Sequence, residues 1–158
     1  MTGAEESAGA GSRWAAAGSR PLVGIVVASH SKAVADGLVE MALQMAREQA
    51  PDVRVIAAGG AADGSLGEDP TRIADAIARA DAGAGVVVLV DFNGAVHASR
   101  FAVENLVDPA LAARVRISGG PLVEAAVFAA VQASVGDDLE AVLATADASS
   151  AFDKHVAG

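Results

Sequence analysis

The sequence predicts an α/β fold: a single three-layer domain with a four-stranded, mainly parallel sheet and helices on both faces. Three observations lead there. Apolar, β-branched runs at 22–28 and 85–90 lack the alternation of a half-exposed strand and read as strands covered on both faces. Segments of helical spacing separate such runs, and strands joined through helices form right-handed crossovers in a parallel sheet. With 158 residues, 53% of them apolar, the chain has room for one packed core and little room for two.

The elements follow in order. Residues 1–20 are rich in Gly, Ala and Ser and read as a flexible leader, with Trp14 an isolated aromatic in it. The folded domain is expected over 21–148, opening on the strand at 22–28. From 32 to 50 the spacing turns helical: Val34, Leu38, Ala42 and Met45 form a stripe, Lys32, Asp36, Glu40 and Arg47 lie largely off it, and Pro51 ends it. A second strand at 53–57 runs to Gly59-Gly60. After a loop at 61–70, Asp69 suits an N-cap and Pro70 the first helical position of a helix to about residue 81. The strand at 85–90 ends at Asp91, and a polar turn, F-N-G-A, leads to a helix over 98–106. A fourth strand occupies 115–118. Gly119-Gly120-Pro121 opens a helix to 134 that is apolar almost all round, so it is buried in this core or against a second copy in a symmetric dimer. A last helix spans 137–146, and 149–158 reads as a flexible tail.

Composition narrows the function. There is no cysteine, and the three histidines, His30, His97 and His155, lie far apart with no metal-ligand spacing, so a metal site is not expected. A net charge of −9, one Trp and no Tyr argue against nucleic acid, which needs a basic stripe or stacking rings. No apolar run approaches the roughly 20 residues of a membrane helix. The N-terminus carries Glu5 and Glu6 rather than a basic stretch before an apolar one, so the expectation is a cytoplasmic protein with no membrane partner.

Open parallel sheets gather ligands beyond the carboxyl ends of their strands. Two side chains stand there: His30, in A-S-H-S-K after the first strand, and Asp91, at the end of the third. Neighbouring strands are about 5 Å apart, so the two meet if strands one and three are adjacent. A carboxylate on the N–H side of a neutral imidazole fixes the tautomer and stabilises the cation formed when the free nitrogen attacks phosphorus. The helix beginning near Lys32 would aim its positive end at such a group, and Gly59-Gly60 and Gly94 leave room for backbone donors. On the residues alone, His30 equally suits a cap or a partly buried polar group, and Asp91 a cap on the next segment. His97 reads as a surface residue and Glu124 as a solvated or interface carboxylate. Ser29 and Ser31 lack the G-x-S-x-G setting of a hydrolase nucleophile. The loop from Gly59 has no Walker lysine and the first strand–helix turn no G-x-G-x-x-G, so nucleotide binding is not expected.

Four segments, in order and suitably separated, carry a resemblance over about 21–146: V-G-I-V-V-A-S-H-S with A-D-G-L-V-E-M-A-L-Q-M; I-A-A-G-G-A-A-D-G-S-L-G; V-V-V-L-V-D-F-N-G-A; and G-P-L-V-E-A-A-V-F-A-A-V-Q-A-S. Together they resemble the phosphotransferase subunits of bacterial PTS-dependent dihydroxyacetone kinases, which share the fold of mannose-type enzyme IIA domains. The resemblance implies a phosphoenolpyruvate-dependent phosphotransferase in which His30 takes phosphate from the phosphocarrier HPr and passes it to an ADP-containing kinase subunit, which phosphorylates dihydroxyacetone. It implies Asp91 as the residue orienting His30, with Ser29, Ser31, Gly60, Asn93 and Gly94 supporting the phosphoryl group. It also implies a homodimer and no permanently bound cofactor, only the phosphoryl group on His30. The alternatives are an enzyme IIA domain of a mannose-type sugar transporter and a non-catalytic regulatory homologue. Three departures stand out. Asp-Leu/Met-Gly-Ser-Ala becomes Asp91-Phe92-Asn93-Gly94-Ala95, losing a serine hydroxyl for which Asn93 would partly substitute. Ile-Gly-Thr becomes Leu66-Gly67-Glu68, and Ala-Pro-Leu-Val-Glu-Gly becomes Gly120-Pro121-Leu122-Val123-Glu124-Ala125. Glu68 is expected to repel phosphate unless it points away.

Overall fold

The computed structural model describes residues 20–155. Its strands, β1 (Gly24–Ser29), β2 (Val55–Gly59), β3 (Val86–Val90) and β4 (Val115–Ser118), form one parallel sheet in the order β2-β1-β3-β4. Strands one and three are therefore neighbours, and Ala28 pairs with Val90 in register, which brings the residues after each strand to one edge.

Helices α1 (Lys32–Ala46), α5 (Leu122–Ser134) and α6 (Leu139–Ala148) cover one face; α2 (Pro70–Ala80) and α3 (Asn93–Asn105) cover the other. A short α4 (Pro109–Ala112) precedes β4. Successive strand residues point to opposite faces, so Ile25, Val27, Val87 and Leu89 meet the first layer while Val26, Ala28, Val86, Val88 and Val90 meet the second. Burial on both sides explains why β1 and β3 show no polar alternation. The helices offer mostly alanine, among them Ala35, Ala42, Ala46, Ala125, Ala129 and Ala133, which lets their backbones lie close to the sheet. The expected three-layer α/β domain is the one observed.

Local differences have local causes. Helix α1 ends at Ala46, with Arg47 as its cap, rather than at 50. Helix α3 begins at Asn93, not 98, because its buried stripe already starts at Ala95 and continues through Ala98, Ser99 and Ala102. Asn and Gly disfavour a helix interior but are tolerated in a first turn, whose N–H groups have no intrahelical partner. The unexpected α4 is a single turn: Asp108 accepts from the Ala110 N–H at 2.9 Å, and Pro109 takes the first position. Helix α5 packs its alanine face against α1 and α6 of its own chain, while Val123 on its first turn stays half exposed. The segment after 148 is not free as far as residue 155. Ser149 is buried in a 3₁₀ turn, the Phe152 ring meets Phe128 edge-on at 5.3 Å, and Lys154 pairs with Glu124 and holds that carboxyl below its usual range. The leader with Trp14, and residues 156–158, lie outside the described residues. Among the described residues no helix is long and apolar enough to cross a membrane, and no cluster suits a metal ion.

Candidate functional site

The site is built on the turn between β1 and α1. Ser29, the buried last residue of β1, donates from Oγ to Asp91 Oδ2 at 2.7 Å. The His30 N–H donates to the same oxygen at 3.0 Å, and the Ser31 N–H donates to Ser29 Oγ at 3.0 Å. Asp91's other oxygen accepts from its neighbour Phe92 at 2.8 Å. Ser31 then caps α1, accepting from the Val34 N–H at 3.3 Å.

The loop after β2 completes the setting. Gly60, with φ +76°, takes a left-handed conformation open to glycine and donates its N–H to the Ser29 carbonyl at 3.0 Å. The loop returns so that Gly67 donates to the His30 carbonyl at 2.9 Å. The His30 backbone is thus held on both sides, by Asp91 at its N–H and Gly67 at its C=O. Residue 68 follows at once, and its carboxylate reaches the ring: Glu68 Oε1 lies 3.0 Å from His30 Nδ1. The imidazole is 41% exposed and Glu68 20%.

An ionised carboxylate only accepts hydrogen bonds. The contact therefore places the ring proton on Nδ1 and leaves Nε2 as the basic nitrogen. The ring is fixed at one nitrogen, nucleophilic at the other, and half open to solvent.

This corrects one expectation and sharpens another. Asp91 is adjacent to His30, but it grips the main chain and Ser29 rather than the ring. Glu68 neither points away nor stands apart; it is the ring's partner. Of the other anticipated residues, Ser29 and Ser31 lie in the turn with their hydroxyls committed to Asp91 and the α1 cap, and Gly60 commits its N–H to Ser29. Asn93 and Gly94 are exposed in the first turn of α3, which has no side-chain cap, and Gly94 lies directly against the Glu68 carboxylate. The negative group thus meets the positive end of a helix. Sequence reasoning missed the Glu68–ring contact. The signal available was paired: a long side chain gained at 68 and a side chain lost at 94. His97 is exposed on α3, as a surface residue.

A second turn, after β4, repeats the pattern of bonds. Ser118 Oγ donates to Asp147 Oδ1 at 2.6 Å, the Gly119 N–H donates to the same oxygen at 3.0 Å, and the Gly120 N–H donates to Ser118 Oγ at 3.1 Å. A cavity lined by Asp91, Asn93, Arg100, Ser118 and Gly119 lies between the two turns.

The family model of the PTS fructose IIA component, EIIA-man, matches residues 24–143. The chain belongs to the mannose-type enzyme IIA family. Within it, the chain is 36% identical to the phosphoryl donor subunit of PEP-dependent dihydroxyacetone kinase 2 from Listeria innocua, over 77% of this chain and 94% of that one. Corresponding donor subunits from Providencia stuartii and Escherichia coli are 32% and 30% identical; the chain spans only 25% and 26% of their lengths. A solved protein of unknown function has the same fold, with a TM-score of 0.68 and 36% identity over 78% of this chain and 91% of the other. The site described above lies within the stretch assigned to the IIA family.

Proposed function

We propose that this protein is the phosphoryl-donor subunit of a PEP-dependent dihydroxyacetone kinase, working in the cytoplasm as a homodimer. It takes a phosphoryl group onto His30 from HPr and passes it to an ADP-containing kinase subunit, with no permanently bound cofactor. The observation that carries this is the His30 ring, engaged at Nδ1 and half exposed, on the strand-end turn of a IIA-family sheet. The Listeria donor subunit, nearly all of which the chain covers, supports the choice of acceptor.

The chemistry follows from the geometry. The Nε2 lone pair attacks the phosphorus of the donor's phosphohistidine. A P–N bond forms at His30 while the donor's P–N bond breaks, its electron pair returning to the donor's ring. The His30 ring then keeps its Nδ1 proton and carries positive charge beside Glu68. Delivery reverses this: a terminal phosphate oxygen of the acceptor's ADP attacks phosphorus, and the P–N electron pair returns to Nε2. The turn serves by holding the imidazole still, so little motion has to be frozen out at the moment of transfer.

Radiolabelled phosphoenolpyruvate with enzyme I and HPr tests this. The expected product is an acid-labile, base-stable phosphate that disappears in His30→Ala and chases onto the kinase subunit's nucleotide. No labelling, or labelling unaffected by His30→Ala, overturns the reading. A chase onto a transporter IIB domain but not the kinase would reassign it to sugar transport.

A further inference from the structure

Glu68 is a costly residue to place beside a phosphoryl acceptor, because its charge repels an incoming phosphate. Its position suggests what offsets that cost. The carboxylate bonds Nδ1, the nitrogen opposite the nucleophilic one, and makes no other hydrogen bond among the described residues. It also rests on the uncapped first turn of α3, where partial positive charge collects.

The fit leaves no space for a side chain at 94. A Cβ on Gly94 would lie 2.6 Å from Glu68 Oε1, 2.8 Å from Cδ and 2.9 Å from Oε2. Gly94 is not among the glycines of positive φ, so its backbone does not require glycine. The three atoms closest to that absent Cβ all belong to Glu68. The glycine therefore answers to the glutamate.

We infer that Glu68 is the positioning residue of the His30 ring, keeping the proton on Nδ1 so that the phosphoryl group goes to Nε2, and that residue 94 is glycine in order to admit it. The route of the phosphoryl group to Nε2 rests on His30 being the phosphoryl acceptor; the tautomer and the role of Gly94 do not. The step itself is the balanced exchange at Nε2 given above, with Glu68 taking no proton.

The experiment is nitrogen NMR of the full-length chain, labelled at histidine, at about pH 8.5, some two units above an ordinary imidazole pKa. In the wild type the expected His30 signals are those of a protonated Nδ1 and a bare Nε2. Glu68→Ala should shift the population toward Nε2–H. Gly94→Ala should do the same with Glu68 intact, because a methyl group displaces the end of a flexible side chain and leaves the fold alone. Glu68→Gln should fall between the wild type and Glu68→Ala, since its amide oxygen accepts from Nδ1–H while its NH2 can donate to a bare Nδ1. The double variant Glu68→Ala with Gly94→Ala should match Glu68→Ala alone, the non-additivity of two residues acting through one contact. Phosphoryl uptake should fall about 10- to 100-fold in Glu68→Ala and Gly94→Ala, the usual scale for losing a carboxylate that orients a histidine. A wild-type tautomer in Glu68→Ala or Gly94→Ala, with both variants folded by circular dichroism, overturns the inference; so does a phosphoryl group found on Nδ1. If the tautomers shift as described and no variant or wild type is phosphorylated, the positioning role stands and the phosphoryl-acceptor reading falls.

Discussion

The turn after β1 and the turn after β4 are the same device with different contents. In both, a serine ends the strand and donates to an aspartate, the next N–H donates to that same carboxylate oxygen, and the N–H after it returns to the serine hydroxyl. The middle residue is His30 in one and Gly119 in the other. Around Gly119 an added Cβ would meet nothing within 4 Å, whereas the His30 ring meets Glu68. The serine–aspartate lock is thus a way of leaving a strand for a helix, and the chemistry resides in the middle side chain and its neighbour. That explains why Asp91 sits beside the histidine yet serves the main chain.

The sharpest way to break this comparison is to remove both aspartates. Asp91→Ala should cost about 3 kcal/mol, because it strands a serine hydroxyl and a partly buried N–H that bonded a charged group. Asp147→Ala should cost about 1 to 2 kcal/mol, because Asp147 and the Gly119 N–H are exposed and water replaces part of what is lost. Urea unfolding measures this, and only Asp91→Ala should also slow phosphoryl uptake at His30. Loss of uptake in Asp147→Ala would mean that the second turn is more than a lock.

A carboxylate at the opposite edge of the sheet sharpens the contrast. Asp81 bonds the guanidinium of Arg114 at 2.6 Å and the N–H groups of Gly83 and Gly85, and Arg114 is the largest cause of an acidity stronger than usual. Its folded pKa is lowered, so its contribution to stability is complete above about pH 4, the unfolded value, and is lost as the pH falls through the folded one. Asp81→Asn keeps an amide oxygen for the Gly83 and Gly85 N–H groups but loses the pair with the partly exposed Arg114, so it should cost about 1 kcal/mol at neutral pH and flatten the acid limb of a stability–pH curve. An unchanged acid limb would remove Asp81 from that role. The carboxylates at the site, Asp91 and Glu68, are held by N–H, hydroxyl and imidazole groups instead, and the nearby Lys32 is paired with Asp36.

Two smaller changes complete the series. Ser29→Ala and Ser118→Ala should each lose about 1 kcal/mol, one neutral hydroxyl's share of the lock. A clear difference between them in thermal unfolding would show that the two turns are not equivalent as scaffolds. Gly119→Ala should stay within about 0.5 kcal/mol of the parent, since the new methyl enters open space. A larger loss would mean that the space is needed by something that docks there.

Much of this was legible in the sequence, for identifiable reasons. Strands β1 and β3 showed themselves because burial on both faces removes polar residues. The approach of His30 to Asp91 was legible only as a condition, met because β1 and β3 are neighbours in the sheet. The start of α3 was hidden because Asn93-Gly94 has the chemistry of a turn, and a helix's first turn demands little of its residues. The packing of residues 149–155 rests on partners far apart in sequence and part of no period, Phe128 with Phe152 and Glu124 with Lys154. Glu68 was legible only as an anomaly. Its contact depends on the path of a loop set by Gly60 at one end and the Gly67–His30 hydrogen bond at the other, and nothing in the spacing of residues encodes that path.

That last hydrogen bond has a use of its own. The Gly67 N–H is tied to the His30 carbonyl, and the adjoining side chain is tied to the His30 ring. Any breathing of the loop that releases the amide to solvent also frees the imidazole to rotate. The deuterium uptake of one backbone amide is therefore a gauge of how long the histidine stays aimed, readable in the resting protein without any phosphate present.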